Sequence, residues 1–191
     1  MNKNRQSWEK FQKSIFAEYL INPFDDKYKL IPELIPSTSW FENARKHFDK
    51  DWPALKKLCY QNAKYRCEIC GGKGPTHPIE AHEYWVYDDD NGIQKMERLW
   101  GLCPACHRVK HAGLWGSIKG RWDLLIPHMM KVNKISQEEA VVLLESHFAV
   151  YNYRSQINWT VDMTFLKNLG IKSDNYISVS YTHLRAHETG A

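Results

Sequence analysis

Apolar positions in this chain change period from segment to segment, and the changes mark its elements. Trp8, Phe11, Ile15, Phe16 and Leu20 recur near helical spacing and predict an amphipathic helix over residues 1–20, ended by Asn22-Pro23. The proline-bearing stretch 21–39 has no period and reads as an irregular connection. Ser37 or Ser39 can start a short helix carrying Trp40, Phe41 and Ala44. Asp51-Trp52-Pro53 reads as an N-cap region before a helix over 53–64 with Leu55, Leu58 and Cys59 apolar. Gly71 to Pro75 is turn-forming. The runs 79–90 and 93–102 then flank Asn91-Gly92, a strong two-residue hairpin turn, and predict two paired strands. Counting back from that turn pairs Tyr87 with Met96, Trp85 with Arg98 and His82 with Gly101. A Cys-Pro step opens a helix over 104–112, closed by Gly113. Another helix is expected over 122–132. Ser136 with Glu139 forms a capping box before Ala140, Val141, Leu143, Leu144 and Phe148. Residues 159–169 form a last apolar segment.

The junctions of the hairpin carry the chemistry. Cys67-Glu68-Ile69-Cys70 precedes the first strand, and Cys103-Pro104-Ala105-Cys106 joins the second strand to the helix. Two pairs with two-residue gaps match the four-thiolate set of a structural Zn²⁺. His82 on the first strand, and His107 and His111 four apart on one helical face, exceed what a structural zinc needs. Glu80 and Glu83 lie beside His82. The chain is thus expected to be α+β, a mostly helical protein around a zinc-stabilised hairpin-plus-helix core.

This run resembles the HNH endonuclease family, whose ββα-metal core is held by paired zinc knuckles. The matching residues are 65–72 (Tyr-Arg-Cys-Glu-Ile-Cys-Gly-Gly), 79–83 (Ile-Glu-Ala-His-Glu) and 102–107 (Leu-Cys-Pro-Ala-Cys-His), with Lys110-His111 closing the set. The flanks Leu30-Ile31-Pro32-Glu33-Leu34 and Met130-Lys131-Val132-Asn133 also look like a bacterial or phage subgroup of that family. The resemblance implies phosphodiester hydrolysis in nucleic acid, with DNA as the expected substrate. It also implies a structural Zn²⁺ on Cys67, Cys70, Cys103 and Cys106, and a catalytic Mg²⁺, Mn²⁺ or Ni²⁺ near His82, His107 and His111. Aligned one way, His82 is the general base and Ala81 stands where a ligand is common. Aligned the other way, His82 is a ligand and Glu83 occupies the place of the base. The Asn of the family motif is absent, with Glu97 and Arg98 in its neighbourhood. Arg108, Lys110, Lys119 and Arg121 are candidate phosphate contacts.

Composition narrows the alternatives. The chain has 191 residues, a net charge of +4 and abundant aromatic residues, which suits a folded protein and permits nucleic-acid binding. It shows no membrane-spanning run and no signal-peptide core, so a cytoplasmic protein with reduced thiols is expected. The odd count of five cysteines argues against a disulfide framework, and the partner knuckle argues against c-type haem attachment at Cys103-x-x-Cys106-His107. Cys59 reads as a core thiol, and His47, His128 and His147 as structural. Asp88-Asp89-Asp90 reads as turn chemistry. The expected divisions are an N-terminal helical extension (1–64), the zinc module (65–113) and a C-terminal helical segment (114–170). The end of the chain, 178–191, resembles translated sequencing-adaptor read-through, so His183 and His187 are set aside. A zinc module that binds nucleic acid without cutting it is the principal rival, and a protein-interaction zinc domain the next. A dimer is expected if both strands of a duplex are cut.

Overall fold

The computed structural model describes residues 20–172 and 176–179. The helix expected over 1–20 lies outside them, apart from Leu20. Helices α1 (Ala44–His47), α2 (Trp52–Asn62), α3 (Pro104–Lys110), α4 (Trp122–Asn133) and α5 (Gln137–Arg154) accompany strands β1 (Glu80–Asp88), β2 (Ile93–Leu102), β3 (Thr160–Asp162) and β4 (Ile177–Val179). The strands form one sheet in the order β1-β2-β3-β4. β1 and β2 are antiparallel, β2 and β3 parallel, and β3 and β4 antiparallel. The α+β class expected from the sequence is the one observed, with the hairpin and α3 at its centre.

Several local expectations need correction. The hairpin register differs because the turn is longer than Asn-Gly alone. Asp88 pairs with Ile93, and Tyr87 with Gln94, leaving a four-residue loop. The Asp88 carboxylate accepts from the Asn91 backbone N–H (3.2 Å) and from Asn91 Nδ2 (3.0 Å), and Gly92 sits at φ +61°. A β-bulge at Tyr84/Trp85 then shifts the register by one, so Trp85 faces Met96, and His82 faces Trp100 rather than Gly101. Ser37–Ser39 form only a 3₁₀ turn, and α1 starts separately at Asn43, whose side chain accepts from Lys46 N–H at 2.9 Å. Trp40 and Phe41, expected on that helix, lie between the two elements and are exposed. Asp51 makes no side-chain cap on α2. Gly113 does not close α3, because it opens a π-helical turn, Gly113–Ile118.

The capping box is half realised. Glu139 N–H donates to Ser136 Oγ (3.1 Å), but the Glu139 carboxylate turns to Lys27 Nζ (2.9 Å) and Tyr28 Oη (2.7 Å). Ser178 and Val179, assigned to the non-native tail, lie in β4 and pair with Val161 and Thr160; residues 180–191 are outside the described set.

Two apolar clusters sandwich the hairpin. On one side Leu102, Cys106 and Val109 pack with Leu30, Leu125, Met129 and Leu143. On the other, Trp85, Tyr87 and Met96 pack with Leu55, Trp159, Val161 and Leu166. Strand alternation assigns the faces: Trp85 and Tyr87 point into the second cluster, and His82 points the opposite way, toward α3. Asp89 is not merely turn chemistry, since it pairs with the buried Arg154 at 2.9 Å and pins the loop to the end of α5. Among the described residues no helix is long and apolar enough to cross a membrane.

Candidate metal centres

The first knuckle is built by a tight backbone loop. Gly71 N–H donates to Cys67 O (2.8 Å) and Cys67 N–H to Gly72 O (2.9 Å), with Gly71 at φ +74°, where a side chain would be strained. Glu68 fastens this loop to β2. Its N–H donates to Gly101 O (2.9 Å), its carboxylate accepts from Gly101 N–H (2.6 Å), and it pairs with Arg98. A Cβ on Gly101 would lie 2.5 Å from Ala63 Cβ, so only glycine lets α2, the knuckle and β2 meet there. The second knuckle uses Cys103 as the residue before α3, with Pro104 in the first turn and His107 N–H donating to Cys103 O at 2.9 Å.

All five cysteines are free, and the Sγ atoms of Cys67, Cys70, Cys103 and Cys106 lie within 4.8 Å of one another. Zn–S bonds of about 2.3 Å put tetrahedral sulfurs about 3.8 Å apart; Cys70 and Cys103 are at 3.6 Å. The donor set therefore fits zinc. Hydrogen bonds from Cys103 and Cys106 hold the Cys67 thiol well below its usual range, and the same contacts push Cys106 up. His128, read from the sequence as structural, belongs here too: its Nε2 is 3.2 Å from Cys106 Sγ. Cys59 is a buried core thiol that burial pushes up to about 12.

His82, His107 and His111 form the second cluster, with one ring nitrogen from each within 4.8 Å of the others. The rings meet edge to face at 4.6 to 5.2 Å between centroids. His107 Nε2 and His111 Nε2 are 3.0 Å apart, close to the roughly 3.3 Å edge of a tetrahedron with M–N bonds of about 2.05 Å. Burial, with the neighbouring His82 and His107, pushes His111 down to about 3, so its ring stays neutral as a ligand must. Burial also lowers His82, although Glu33 opposes it.

Two carboxylates orient these rings. Glu80 Oε2 is 2.5 Å from His107 Nδ1, which leaves Nε2 for an ion, and Glu80 Oε1 is 2.7 Å from His77 Nε2. The His107 hydrogen bond, then that of His77, holds Glu80 down at about 2. Glu33 Oε2 is 3.1 Å from His82 Nε2, which leaves Nδ1 free of that bond. Burial alone would raise Glu33, but His82, Lys110 and the Trp85 N–H (2.8 Å) together hold it below the carboxylate range. An ionised Glu33 requires His82 Nε2 to carry the proton. Glu33 is fixed in turn: its N–H donates to Lys110 O (2.9 Å), while Asn133 holds Leu30 by two bonds of 2.7 and 2.8 Å. The two flanking motifs, 30–34 and 130–133, thus meet behind His82.

Other expected site residues lie elsewhere. Glu83 is not brought to the cluster. It projects from the opposite face of β1 and accepts from Arg45 N–H at the start of α1 (3.2 Å), with burial raising it to about 7. Lys110 cannot follow a phosphate chain: it is 1% exposed, 3.6 Å from Glu33 and 4.7 Å above the Trp100 ring. Arg121 is exposed but forks onto Asp123 with two 2.9 Å bonds. Arg108 and Lys119 lie over the Trp115 ring at 5.0 and 4.0 Å, beside α3.

Glu33, Glu80 and His128 complete the two centres; Glu80 was marked by its place beside His82, whereas the partners of Glu33 and His128 were not legible in the sequence. Glu33 is the single charge between Leu30 and Ile35, where an unpaired carboxylate would be costly. Comparison with protein-family models, curated proteins and solved structures finds no match to this chain.

Proposed function

We propose that this protein is a metal-dependent endonuclease of the HNH type that hydrolyses phosphodiester bonds in DNA. The observation that supports it is the convergence of His82, His107 and His111 on one point, two of them backed by carboxylates, at a hairpin–helix junction whose shape is set by a separate four-cysteine site. When bound there, a divalent ion would supply charge neutralisation at the scissile phosphate and a lowered pKa for water. The chain's own groups position it. His82, His107 and His111 would hold the ion through one ring nitrogen each. Glu33 and Glu80 hold those rings in the required tautomer. Arg108 and Lys119 meet flanking phosphates. Residues 65–113 then form the catalytic module, the zinc on the cysteines holds strand and helix in register, and two protomers serve a double-strand cut.

The test is cleavage of supercoiled plasmid with Mg²⁺, Mn²⁺ or Ni²⁺ by the full chain and by His82→Ala at matched zinc content. Cleavage by the first and loss of at least a hundredfold in the second is expected. Equal cleavage by both assigns the activity elsewhere. Glu83 facing α1 favours a second reading, a zinc-stabilised module that binds nucleic acid without cutting it. That reading predicts salt-dependent DNA affinity with no cleavage in any ion.

A further inference from the structure

An apolar group projects at the tip of the turn that follows the histidine helix. Ile118 is 72% exposed and Leu114 36%, on the π-helical turn Gly113–Ile118. The turn is rigidly built. Trp115 N–H donates to His111 O (3.0 Å), Lys119 N–H to Leu114 O (3.0 Å) and Arg121 N–H to Trp115 O (2.8 Å). Its inner side is locked as well, since a Cβ on Gly116 would lie 2.3 Å from the Trp122 ring. Ile118 is thus held out into solvent by a scaffold continuous with the residue that bears His111.

The surroundings are cationic. In sequence no Asp or Glu occurs between Glu97 and Asp123, and Arg108 and Lys119 flank the turn, while Arg121 is paired with Asp123. Arg108 and Lys119 both rest on Trp115, so their charges are presented from a fixed platform rather than from free stems. We infer that Ile118 is a wedge that enters a DNA duplex between adjacent base pairs, with Arg108 and Lys119 on the phosphates either side. A single apolar side chain on a braced turn with two cations held on the neighbouring Trp115 suits unstacking of one base step. It does not suit a lipid surface, which calls for a long apolar face, nor a protein interface, which needs about 20 residues a side. The inference rests on the nucleic-acid reading above and deepens it: the protein kinks its duplex beside the histidine cluster.

The experiment uses the full chain without added divalent ion and a short duplex carrying 2-aminopurine at flexible TA steps. Binding should raise 2-aminopurine emission about twofold or more as the base unstacks. Ile118→Ser should abolish that rise and weaken binding about tenfold with an unchanged melting temperature, Ile118→Leu should restore both, and Lys119→Gln should lower the salt slope by about 1. Duplex binding without an emission rise, or a rise that survives Ile118→Ser, overturns the wedge and leaves nucleic-acid binding standing. No duplex binding at any salt overturns both. Co-sedimentation with phosphatidylserine vesicles that Ile118→Ser removes assigns the tip to lipid and overturns the wedge.

Discussion

Glu33 has three claims on one carboxylate: the ring N–H of His82, the N–H of Trp85 and the ammonium of Lys110. All three side chains are buried or nearly so, and water is not at hand to replace any partner. Removing the charge leaves the buried Lys110 without its ion-pair partner, a change that costs about 3–5 kcal/mol. It also frees the His82 ring to turn. Glu33→Gln, which keeps the shape, is therefore expected to lower the denaturant midpoint and to weaken Mn²⁺ or Ni²⁺ binding at the histidine cluster 10- to 100-fold. Equilibrium unfolding and metal titration of the zinc-loaded protein measure the two effects separately. Unchanged ion affinity would mean that His82 is oriented by the strand alone.

At the scale of elements, α4 does more than cover the module. His128 reaches from it to Cys106, so one ring of another helix meets a sulfur of the four-cysteine cluster. An N–H donated to sulfur draws off charge and fixes the thiolate in place. His128→Ala is expected to speed zinc release to a chromogenic chelator about tenfold or more, while His128→Gln, with a donor of similar reach, recovers part of the loss. An equal release rate in all three proteins would reduce the contact to packing. That contact also shows what a sequence can and cannot convey. The knuckles, the hairpin and α3 were readable because each is a local pattern: thiol spacing, alternation, a Cys-Pro start. The histidine pair of α3 followed from a four-residue step. The hairpin register was not readable, because Asp88 closes a wider loop and the bulge depends on packing across the strand pair. Nor were His128 and Glu33, which join the sites across 22 and 49 residues through tertiary contacts that leave no local period. Lys110 was misread for the same reason, since its partners Glu33 and Trp100 come from other elements.

Across the molecule, buried histidines tie stability to acidity. His147 on α5 is 5% exposed, and burial, with Lys110 and Arg154 nearby, pushes its pKa down to about 3. The folded ring stays neutral while the unfolded one takes a proton below about pH 6.5, so stability is full above that value and falls as pH drops toward 3. Between pH 6.5 and 5 this one group costs about 2 kcal/mol. His147→Asn should flatten that part of the stability profile relative to wild type, as read by denaturant unfolding at successive pH values; parallel profiles would locate the acid sensitivity elsewhere. The same scale gives the parallel pairing of β2 with β3 a further meaning. Gln94 and its neighbours hand their outer hydrogen-bonding groups to a segment that begins at Thr160. During synthesis, the long edge of β2 is complete well before its partner has emerged. Until then it is an open template for strand addition by another chain, and β3 closes that template at its Ile93–Lys95 end.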